Sequence, residues 1–578
     1  MQSSLQPADE PLWIFPENDL LFVEQVIKEF KIHPIIAQIL ATRGFKTLES
    51  IHDYLYAKLP DLHDPFSLAG MSTAVERIKK AIQNKENILI YGDNDVDGMT
   101  GTALLVEFFQ FIGASVFFYI STRGMRRQCL IVEAMEYAKK NNCSLLITVD
   151  CGVTAALEIA QVCEQGVDVI ITDHHEPTDT IPHCVATLNP KLLGNSYPNL
   201  DLTGVGVAFK LAHAVTNYLI GEGVISPKKV DLKRYLDLVA LGTISDMGAL
   251  IGENRIFVIY GLRQLRKTKR IGLAKLISIA GVDLSELSAY DIASKIAPRL
   301  NSLGRIDNPQ KGVEMLLVRN SILAERMAIE LDLNNLERQK IEKVMVTEVE
   351  NLFSVNPEIL RNKAIIMESD KWHPGIIAIL STRISKLYNR PAMMIAIEGD
   401  TAKGSLRSIH EFPLLEMLKA NSDLLINFGG HDFAAGATLK VENIEEFKRR
   451  FIKAANDQLT LRDVMPKLMM DAEVKFEDLT FDLMESIKLL EPFGNENPPP
   501  ILYTTVKQAW PPKIIAKAHV KFYLENGDRL LEGMAFNKAS QIAKYRKKNE
   551  IYRVAFTPQI NNYQGPSIQL LIREIQQI

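Results

Sequence analysis

Aspartate and histidine side chains follow three short apolar runs of this sequence, at the point where each run ends. The first run, 87–91, is followed by alternating aspartates, the second, 144–149, by one aspartate, and the third, 167–172, by an aspartate and two histidines. Carboxylates with an added imidazole suit Mn²⁺ or Mg²⁺ better than zinc, so these segments predict a divalent metal site. The residues concerned are Asp93, Asp95, Asp97, Asp150, Asp173, His174 and His175.

The apolar runs alternate with helix-like stretches at about 101–112, 131–141 and 154–165. Buried strands that alternate with helices predict an α/β fold with a doubly wound parallel sheet, whose strand C-termini line the binding crevice. Asp246, which follows the apolar stretch 236–244, adds a further acidic group.

So many carboxylates in one crevice repel one another unless a cation neutralises them. A carboxylate shared between two ions would form a two-metal site, which activates water for phosphoester hydrolysis. A single aspartate after a strand is usually a turn or helix-cap residue. Its occurrence at three strand ends together favours the metal site over that interpretation.

Residues outside this predicted sheet fall into segments of different character, beginning with a mostly helical pattern over 1–84. A helix over 320–354 would span on the order of 50 Å at about 1.5 Å per residue, which suits a spacer between domains. A second α/β segment follows over about 363–455, and short strand-like runs from about 465 predict a small β barrel or sandwich.

The composition is that of a folded protein: 578 residues, 47% hydrophobic, with a net charge of −4. These values exclude disorder as the dominant state and predict about three or four domains. No apolar run approaches the ~20 residues that span a bilayer, and the start of the chain lacks a secretory pattern, so we expect a cytoplasmic protein without membrane association.

The five cysteines are odd in number and form no CxxC pair, which argues against a disulfide framework and a cysteine-rich zinc site. The net charge gives no global signature of nucleic-acid binding. Basic runs at 263–270, 448–450 and 544–548 are typical of solvated helix faces.

The motifs together resemble the DHH phosphoesterase superfamily and, within it, the RecJ family of single-strand-specific exonucleases. The resemblance covers nearly the whole chain, and the order of its segments makes it specific. The segments are YGDNDVDGMTGTALL (91–105), ITVDCG (147–152), TDHHEP (172–177), LNPKL (188–192), LTGVGVAFKLA (202–212), DLVALGTISD (237–246), WHPGIIAILSTRI (372–384), KGSLRS (403–408), FGGHDFAAGATL (428–439), EPFGNENPPP (491–500) and HVKF (519–522).

The resemblance implies a domain order. It comprises an N-terminal helical region (1–84), a DHH catalytic domain (85–308), a connecting helix (309–357), a smaller α/β DHHA1 substrate-binding domain (358–460) and an OB-fold nucleic-acid-binding barrel (461–578).

The resemblance also implies roles for the acidic cluster. Two divalent ions, Mn²⁺ or Mg²⁺, would be bound, with Asp150 as the bridging ligand and a water that the ions activate as nucleophile. His175 would meet the scissile phosphate and, with Asp173, belongs to the catalytic residues. The implied metal ligands are Asp93, Asp95, Asp97, Asp150, His174 and Asp246.

For the substrate, the resemblance implies phosphate contacts, since an arginine fork is well suited to phosphate oxygens. Arg305 matches the arginine that meets the 5′-terminal phosphate. For Trp372 core packing competes with base stacking, and for Lys521 and Phe522 plain strand positions compete with strand binding. The implied substrate-binding residues are Arg123, Arg305, Ser405, Arg407, His431, Trp372, Lys521 and Phe522.

The chain departs from the family pattern in three places, of which SDMGAL (245–250) keeps its aspartate. Asn94 replaces a tyrosine but alternates with the metal carboxylates, so we expect it to point away from them. Gln128 stands where the family has the tyrosine of Gly-Tyr-Gly, which is thought to exclude duplex, while Arg126 and Arg127 could strengthen phosphate contact. Every implied metal ligand is present, which argues against an inactive relative.

The expected function is a metal-dependent 5′→3′ exonuclease that degrades single-stranded DNA to 5′-mononucleotides in DNA repair and recombination. The chain has no Walker A loop, so we expect a helicase and a single-strand DNA-binding protein as partners. Two alternatives are a DHH phosphodiesterase acting on short oligoribonucleotides or dinucleotides, and a non-catalytic single-strand-binding scaffold.

Overall fold

The computed structural model of the chain describes residues 10–17, 19–122, 127–545, 550–562 and 565–578. The chain forms two compact units. The large unit contains Lys58–Val464, and the small unit contains Asp9–Ala57 together with Met465–Ile578. The expected helical region 1–84 is therefore not one domain, because residues up to Ala57 join the C-terminal part of the chain.

The first sheet of the large unit has five parallel strands and carries the metal-site motifs. The strand order reverses between Asn87–Gly92 and Cys143–Val149, and such a reversal opens a crevice at the carboxyl ends of the strands. The two strands that the sequence did not predict lie at the sheet edges. In spatial order the strands are Ser115–Ile120, Asn87–Gly92, Cys143–Val149, Asp168–Thr172 and Ala186–Leu188.

Helices cover both faces of the first sheet, which confirms the doubly wound fold. Ile88 and Ile90 belong to a core with the helices Met71–Gln83, Val96–Phe111, Gly204–Gly221 and Leu236–Ser245. Leu89 and Tyr91 point to the opposite face, toward the helices Arg127–Lys140 and Ala156–Glu164. Further helices of this part are Gly252–Leu265, Ile271–Ile279, Ala289–Asp291, Ala297–Asn301, Leu303–Ile306 and Gln310–Leu317, with a π-helical segment Ile292–Ile296.

A single helix of 35 residues, Ser321–Val355, connects the first sheet to the second. Asn320 caps its start, since its side chain accepts a hydrogen bond from Leu323 N. The predicted helix over 320–354 is confirmed almost to the residue.

The second sheet of the large unit is mixed and has five strands. Its spatial order is Leu425–Gly430, Ala434–Lys440, Thr401–Arg407, Ala392–Glu398 and Ile365–Ser369. The last two strands are parallel and the other pairs are antiparallel. The accompanying helices are Ile377–Tyr388, Leu414–Ala420 and Ile444–Gln458.

The small unit contains the predicted barrel. Five strands close on themselves, in the order Leu502–Ile515, His519–Asn526, Arg529–Ala535, Ser567–Gln577 and Ile551–Asn561, with the last paired to the first. Ala472–Glu473 adds a short parallel pairing, and Leu12–Ile14 pairs with Lys467–Met469. The helices are Leu20–Phe30, Pro34–Thr42, Leu48–Tyr56 and Phe481–Ile487.

The N-terminal helices of the small unit share the core of the barrel. Ile36 and Leu40 are fully buried in one cluster with Phe476 and Phe522. Arg43 adds an ion pair, with its Nε 2.8 Å from Asp471 Oδ1. This shared core is the physical reason why the N-terminal helices belong to the small unit.

Two sequence expectations concern simpler properties. The cysteines whose side chains the structure describes, Cys143, Cys151, Cys163 and Cys184, are free thiols, as expected. Across the described residues, no helix has the length and apolar character that crossing a membrane requires.

Candidate active site

Three aspartates each continue the ladder of the first sheet by one residue. Asp93 N donates to Val149 O at 3.1 Å, Asp150 N to Thr172 O at 2.9 Å, and Asp173 N to Leu188 O at 3.0 Å. Asp150 has a φ of +62°, a left-handed conformation that a non-glycine residue adopts rarely. The backbone therefore fixes all three carboxylates side by side at the carboxyl edge of the sheet.

Asp95 and Asp97 belong to the start of the helix Val96–Phe111, which begins earlier than the sequence predicted. Asp95 caps this helix, and its Oδ1 accepts from Asp97 N at 3.0 Å and Gly98 N at 3.2 Å. Asp97 is buried and accepts from two backbone N–H groups, of Gly204 at 2.6 Å and Val205 at 2.9 Å. The N-terminus of the helix Gly204–Gly221 thus holds the Asp97 carboxylate in place.

Gly204 also allows this helix to approach the sheet. A Cβ at this position would lie 2.5 Å from Asp150 Cβ, so any larger residue would push the helix away from the carboxylates. Asp246 follows the helix Leu236–Ser245, whose side chains are buried all round. The apolar stretch that precedes Asp246 is therefore a buried helix rather than a strand.

Among the described residues, three groups bring at least three ligand atoms within 4.8 Å of one another. Asp150 belongs to two of these groups and His174 to two. The groups are Asp150 with His174 and His175, Asp97 with His174 and Asp246, and Asp93 with Asp95 and Asp150. The structure thus brings together all six implied metal ligands, with Asp150 placed where groups overlap.

Two buried polar atoms of the cluster have no hydrogen-bond partner among the residues that the structure describes: Asp150 Oδ1 and His174 Nε2. They lie 3.0 Å apart, and His174 Nε2 is 3.6 Å from Asp246 Oδ2. Two acceptor atoms that face each other in a buried site fit a shared cation, because a metal ion would satisfy both. The donor set therefore fits divalent metal ions.

The electrostatics of the cluster support the same conclusion. Burial, together with the charge of Asp95, raises the pKa of Asp97 to about 7. Burial and the neighbouring carboxylates raise the pKa values of Asp150 and Asp246 well above the ordinary range. Burial, with the charge of His175, lowers the pKa of His174 to about 3. The raised carboxyl pKa values mean that the charged carboxylates are unfavourable without a counter-ion, and a bound cation reverses this effect. The lowered pKa of His174 leaves its imidazole neutral, as a metal ligand must be.

Asp173 belongs to none of these three ligand groups, and its carboxylate accepts hydrogen bonds from both histidines that follow it. His175 Nδ1 donates to Asp173 Oδ1 at 2.8 Å, and the backbone N–H groups of His174 and His175 donate to the same oxygen. Burial opposes the charge on Asp173, but the bonds from His175 hold its pKa at about 2. Burial likewise opposes the charge on His175, and Asp173 holds its pKa at about 9. Asp173 is thus a positioning residue for His175.

His431, on the second sheet, faces His175. The two rings are nearly parallel, 9° apart, with centroids separated by 5.9 Å. Gly430 precedes it with a φ of +135° and a backbone so close to Ala435 that a Cβ would clash. The Gly-Gly-His segment therefore makes the tight turn that brings His431 toward the metal cluster.

The predicted phosphate-binding residues of the second sheet lie at this same end. Arg407 pairs with Ala434 across the sheet, and His431 N donates to Ala434 O at 2.8 Å. Ser405 is largely buried two residues earlier in the same strand. Arg305 lies on the helix Leu303–Ile306 and donates through Nη1 to Gly375 O at 3.1 Å, which links the two halves of the large unit.

The prediction that Trp372 and Phe522 contact bases is wrong, because both side chains are buried. Trp372 is 3% exposed in the core, and its Nε1 donates to Glu348 Oε2 at 3.0 Å. Phe522 is 1% exposed inside the barrel. Lys521 points outward instead, because successive residues of a strand face opposite sides, and it pairs with Glu532 at 2.6 Å.

The outer face of the barrel carries aromatic residues that sequence reasoning missed. Trp510 is 49% exposed and meets Tyr523 edge-on, with ring centroids 5.5 Å apart. Lys513 Nζ lies 5.6 Å from the Tyr523 ring centroid and Lys521 Nζ lies 5.4 Å from it. The sequence HVKFY (519–523) could have revealed Tyr523, because side chains alternate along a strand and Tyr523 must lie on the same face as Lys521. We call these four residues the aromatic patch.

Ser121 is a further residue that the sequence did not indicate, and it supports the metal cluster. Ser121 Oγ donates to Asp93 Oδ1 at 2.8 Å, and Asn94 Nδ2 lies 3.5 Å from the same hydroxyl. Asn94 therefore contacts the serine that orients Asp93. Arg123 and Arg126 lie outside the described residues, as do the side chains of Arg127 and Gln128.

The fold and the metal cluster define a DHH phosphoesterase. The model of the "DHH family, N-terminal domain" matches residues 87–243, the "DHHA1 domain" matches 361–457, and the "RecJ OB domain" matches 470–574. A RecJ single-stranded-DNA-specific exonuclease of Bacillus subtilis is 38% identical over 92% of this chain and 66% of that protein. The same exonuclease of Salmonella typhimurium is 32% identical over 94% of this chain and 96% of that protein.

The solved structures agree with the sequence matches. Crystalline RecJ of Thermus thermophilus in complex with Mn²⁺ matches with a TM-score of 0.83 and 28% identity, over 98% of this chain and 80% of that one. An exonuclease RecJ bound to manganese matches with a TM-score of 0.56 and 32% identity, over 68% of this chain and 96% of that one. The chain belongs to the RecJ family of single-stranded-DNA-specific exonucleases.

Proposed function

We propose that this protein degrades single-stranded DNA from the 5′ end and releases 5′-mononucleotides, with two Mn²⁺ or Mg²⁺ ions at the acidic cluster. The observation that carries the proposal is the pair of buried, unpartnered atoms Asp150 Oδ1 and His174 Nε2 at the centre of the cluster. Membership of the RecJ family supplies the substrate class.

The ions, when bound, supply a water made acidic by coordination and stabilise charge on the phosphoryl oxygens. Asp93, Asp95, Asp97, Asp150, His174 and Asp246 would hold these ions. Asp150 is the proposed bridging ligand because it belongs to two of the ligand groups and, unlike His174, has two carboxylate oxygens to share. The backbone bonds to Asp95 and Asp97 keep their carboxylates in place before the ions arrive.

His175 is the proposed contact to the scissile phosphate. Its Nδ1 is bound to Asp173, so Nε2 is the ring atom left for a phosphate oxygen. The side chain is about half exposed, at 42%, whereas the metal-ligating His174 is mostly buried. A donor fixed in this way stabilises charge that develops on the phosphate during hydrolysis.

The remaining phosphates of the strand are proposed to lie along the second sheet. His431 faces His175, and Arg407 is at the same end of its sheet. Ser405 lies beside them, and Arg305 is the proposed contact to the 5′-terminal phosphate. A cationic side chain at that position would favour a strand that begins with a phosphate.

The aromatic patch is the proposed guide for the strand on the small unit. Exposed aromatic rings beside lysines are typical of sites that stack bases and hold a phosphate backbone without reading sequence. Trp510 offers an exposed ring, while Lys513 and Lys521 supply positive charge.

We also propose that the protein works in the cytoplasm in DNA repair and recombination. A helicase and a single-strand DNA-binding protein are the proposed partners, because an enzyme for single strands needs another protein to unwind the duplex.

The test is digestion of a 5′-phosphorylated single strand that carries its label at the 3′ end, with Mn²⁺ and with EDTA. The proposal predicts a ladder that shortens from the 5′ end and no digestion with EDTA. A second strand labelled in its 5′-terminal phosphate should release a labelled mononucleotide from the first time point. A matched duplex with blunt ends should persist. Cleavage of dinucleotides alone would support the short-substrate phosphodiesterase, and binding without cleavage would support the scaffold.

A further inference from the structure

A cavity of about 420 Å³ opens directly beside the metal cluster. Asp93, Asp150, Asp173 and His175 line it on the side of the cluster, and His431 belongs to the lining as well. The cavity extends from there along the face of the first sheet that the helix Ala156–Glu164 covers. The cavity therefore adjoins the place where the metal cluster would hold a phosphate.

The inner wall of the cavity is mostly apolar. It is formed by one aromatic ring and several aliphatic side chains, namely Tyr91, Ala134, Leu146, Ala155, Ile159 and Val162. Thr148 also lines the wall, but its hydroxyl already donates to Cys151 O at 2.7 Å. An occupant of this wall gains contact area rather than hydrogen bonds.

Polar groups occur farther along the lining. Thr154 and Glu158 are half-buried side chains near the start of the helix Ala156–Glu164. The occupant is thus expected to be flat or compact, largely apolar, uncharged, and able to form a hydrogen bond at one edge. A negatively charged group is disfavoured, because Glu158 adds a carboxylate to the lining outside the metal cluster.

We infer that this cavity receives a nucleobase of one of the two nucleosides that flank the scissile phosphodiester. A nucleobase has the required apolar faces and polar edge, and it is joined by one sugar to the phosphate that the cluster would bind. The inference rests on the proposed function and deepens it, since it adds a base-binding site to a phosphate-binding one.

The experiment measures kcat/KM for the first cut of single strands with an abasic residue at the first or at the second nucleotide. Removing the base that occupies the cavity should lower kcat/KM by about 10-fold, in line with the contribution of one bound base. The abasic position with the larger loss identifies which nucleoside enters. Wild-type enzyme that cuts both abasic strands as fast as the intact strand would overturn the inference.

A cavity-filling variant adds an independent comparison. Ala155→Phe should lower kcat/KM for the intact strand by about 10-fold but cut the sensitive abasic strand at the wild-type rate. Gln161→Phe, on an exposed position of the same helix, should match wild type on every strand. Where Ala155→Phe unfolds below the assay temperature, the smaller Ala155→Leu takes its place. An equal loss on intact and abasic strands would overturn the inference.

Failure of the inference can be told from failure of the proposed function. If wild-type protein with Mn²⁺ leaves every strand intact, the proposed exonuclease activity is wrong. If it degrades intact and abasic strands equally well, the exonuclease proposal stands and only the assignment of the cavity is wrong.

Discussion

The metal cluster of the large unit and the aromatic patch of the small unit are built in opposite ways. Around the cluster, backbone N–H groups fix the carboxylates, and the ligands Asp97 and Asp150 are almost fully buried. On the barrel, Trp510 and Tyr523 are held by strand geometry and face outward. Bond cleavage requires fixed positions to a fraction of an ångström, whereas guiding a strand of any sequence requires accessible rings and charges.

The comparison predicts that the largest effect comes from the cluster. Asp150→Asn keeps the shape of the side chain but removes the charge of the proposed bridging ligand. We expect kcat/KM on single-stranded DNA to fall on the order of 10³-fold with little loss of strand affinity. The measurement is a steady-state digestion with Mn²⁺. Asp179→Asn, at an exposed position of the same domain, is the control and should keep wild-type activity. An Asp150→Asn enzyme that also keeps wild-type activity would contradict the prediction.

Within the barrel, the inward and outward positions of one strand should separate stability from binding. Phe522→Ala leaves a cavity in the buried core, so we expect the free energy of unfolding to fall by about 3–5 kcal/mol. Urea denaturation of the full chain measures this loss. Tyr523→Ala is the outward neighbour and should cost much less stability. Equal destabilisation by the two substitutions would show that Tyr523 is part of the core.

The aromatic patch should affect long strands only. Trp510→Ala removes an exposed ring, and we expect the Kd for a long single strand to rise about 10-fold, as loss of one base stack implies. Hydrolysis of a tetranucleotide should be unchanged. Tyr290→Ala removes an exposed aromatic ring of the large unit and is the matched control. An unchanged Kd for Trp510→Ala would exclude the patch from strand binding.

The smallest effect is expected at Trp372, the aromatic residue that packs in the core. Trp372→Phe keeps most of the ring contact but loses the hydrogen bond to Glu348, which costs about 1 kcal/mol of stability. Thermal unfolding measures that cost, and the Kd for single-stranded DNA should stay at its wild-type value. Weaker strand binding would instead indicate that Trp372 becomes accessible to a base.

These regions also differ in how far the sequence predicts them. Asp93, Asp150 and Asp173 follow apolar runs directly, and the geometry of parallel strands then determines that they meet. The partners of Asp97 could not be predicted in this way, because Gly204 and Val205 are more than a hundred residues away along the chain. Each of them contributes a backbone N–H group to Asp97, and any residue except proline could supply such a group.

The barrel shows a different limit. Two register shifts interrupt the strand Leu502–Ile515 on either side of Trp510, so alternation alone does not give the direction of that ring. The N-terminal helices join the barrel core through Ile36 and Leu40, whose apolar spacing predicts a buried face but not its partner. Long-range packing decides where these helices dock.

The most direct test of the account is to count the Mn²⁺ ions bound per chain by calorimetric titration and to record their electron paramagnetic resonance spectrum. Six ligands, with Asp150 shared between two groups of them, predict two ions per chain whose spins are coupled through a shared carboxylate. Asp150→Asn should lose that coupling. One ion per chain, or two ions without coupling in the wild-type protein, would contradict a site shared at Asp150.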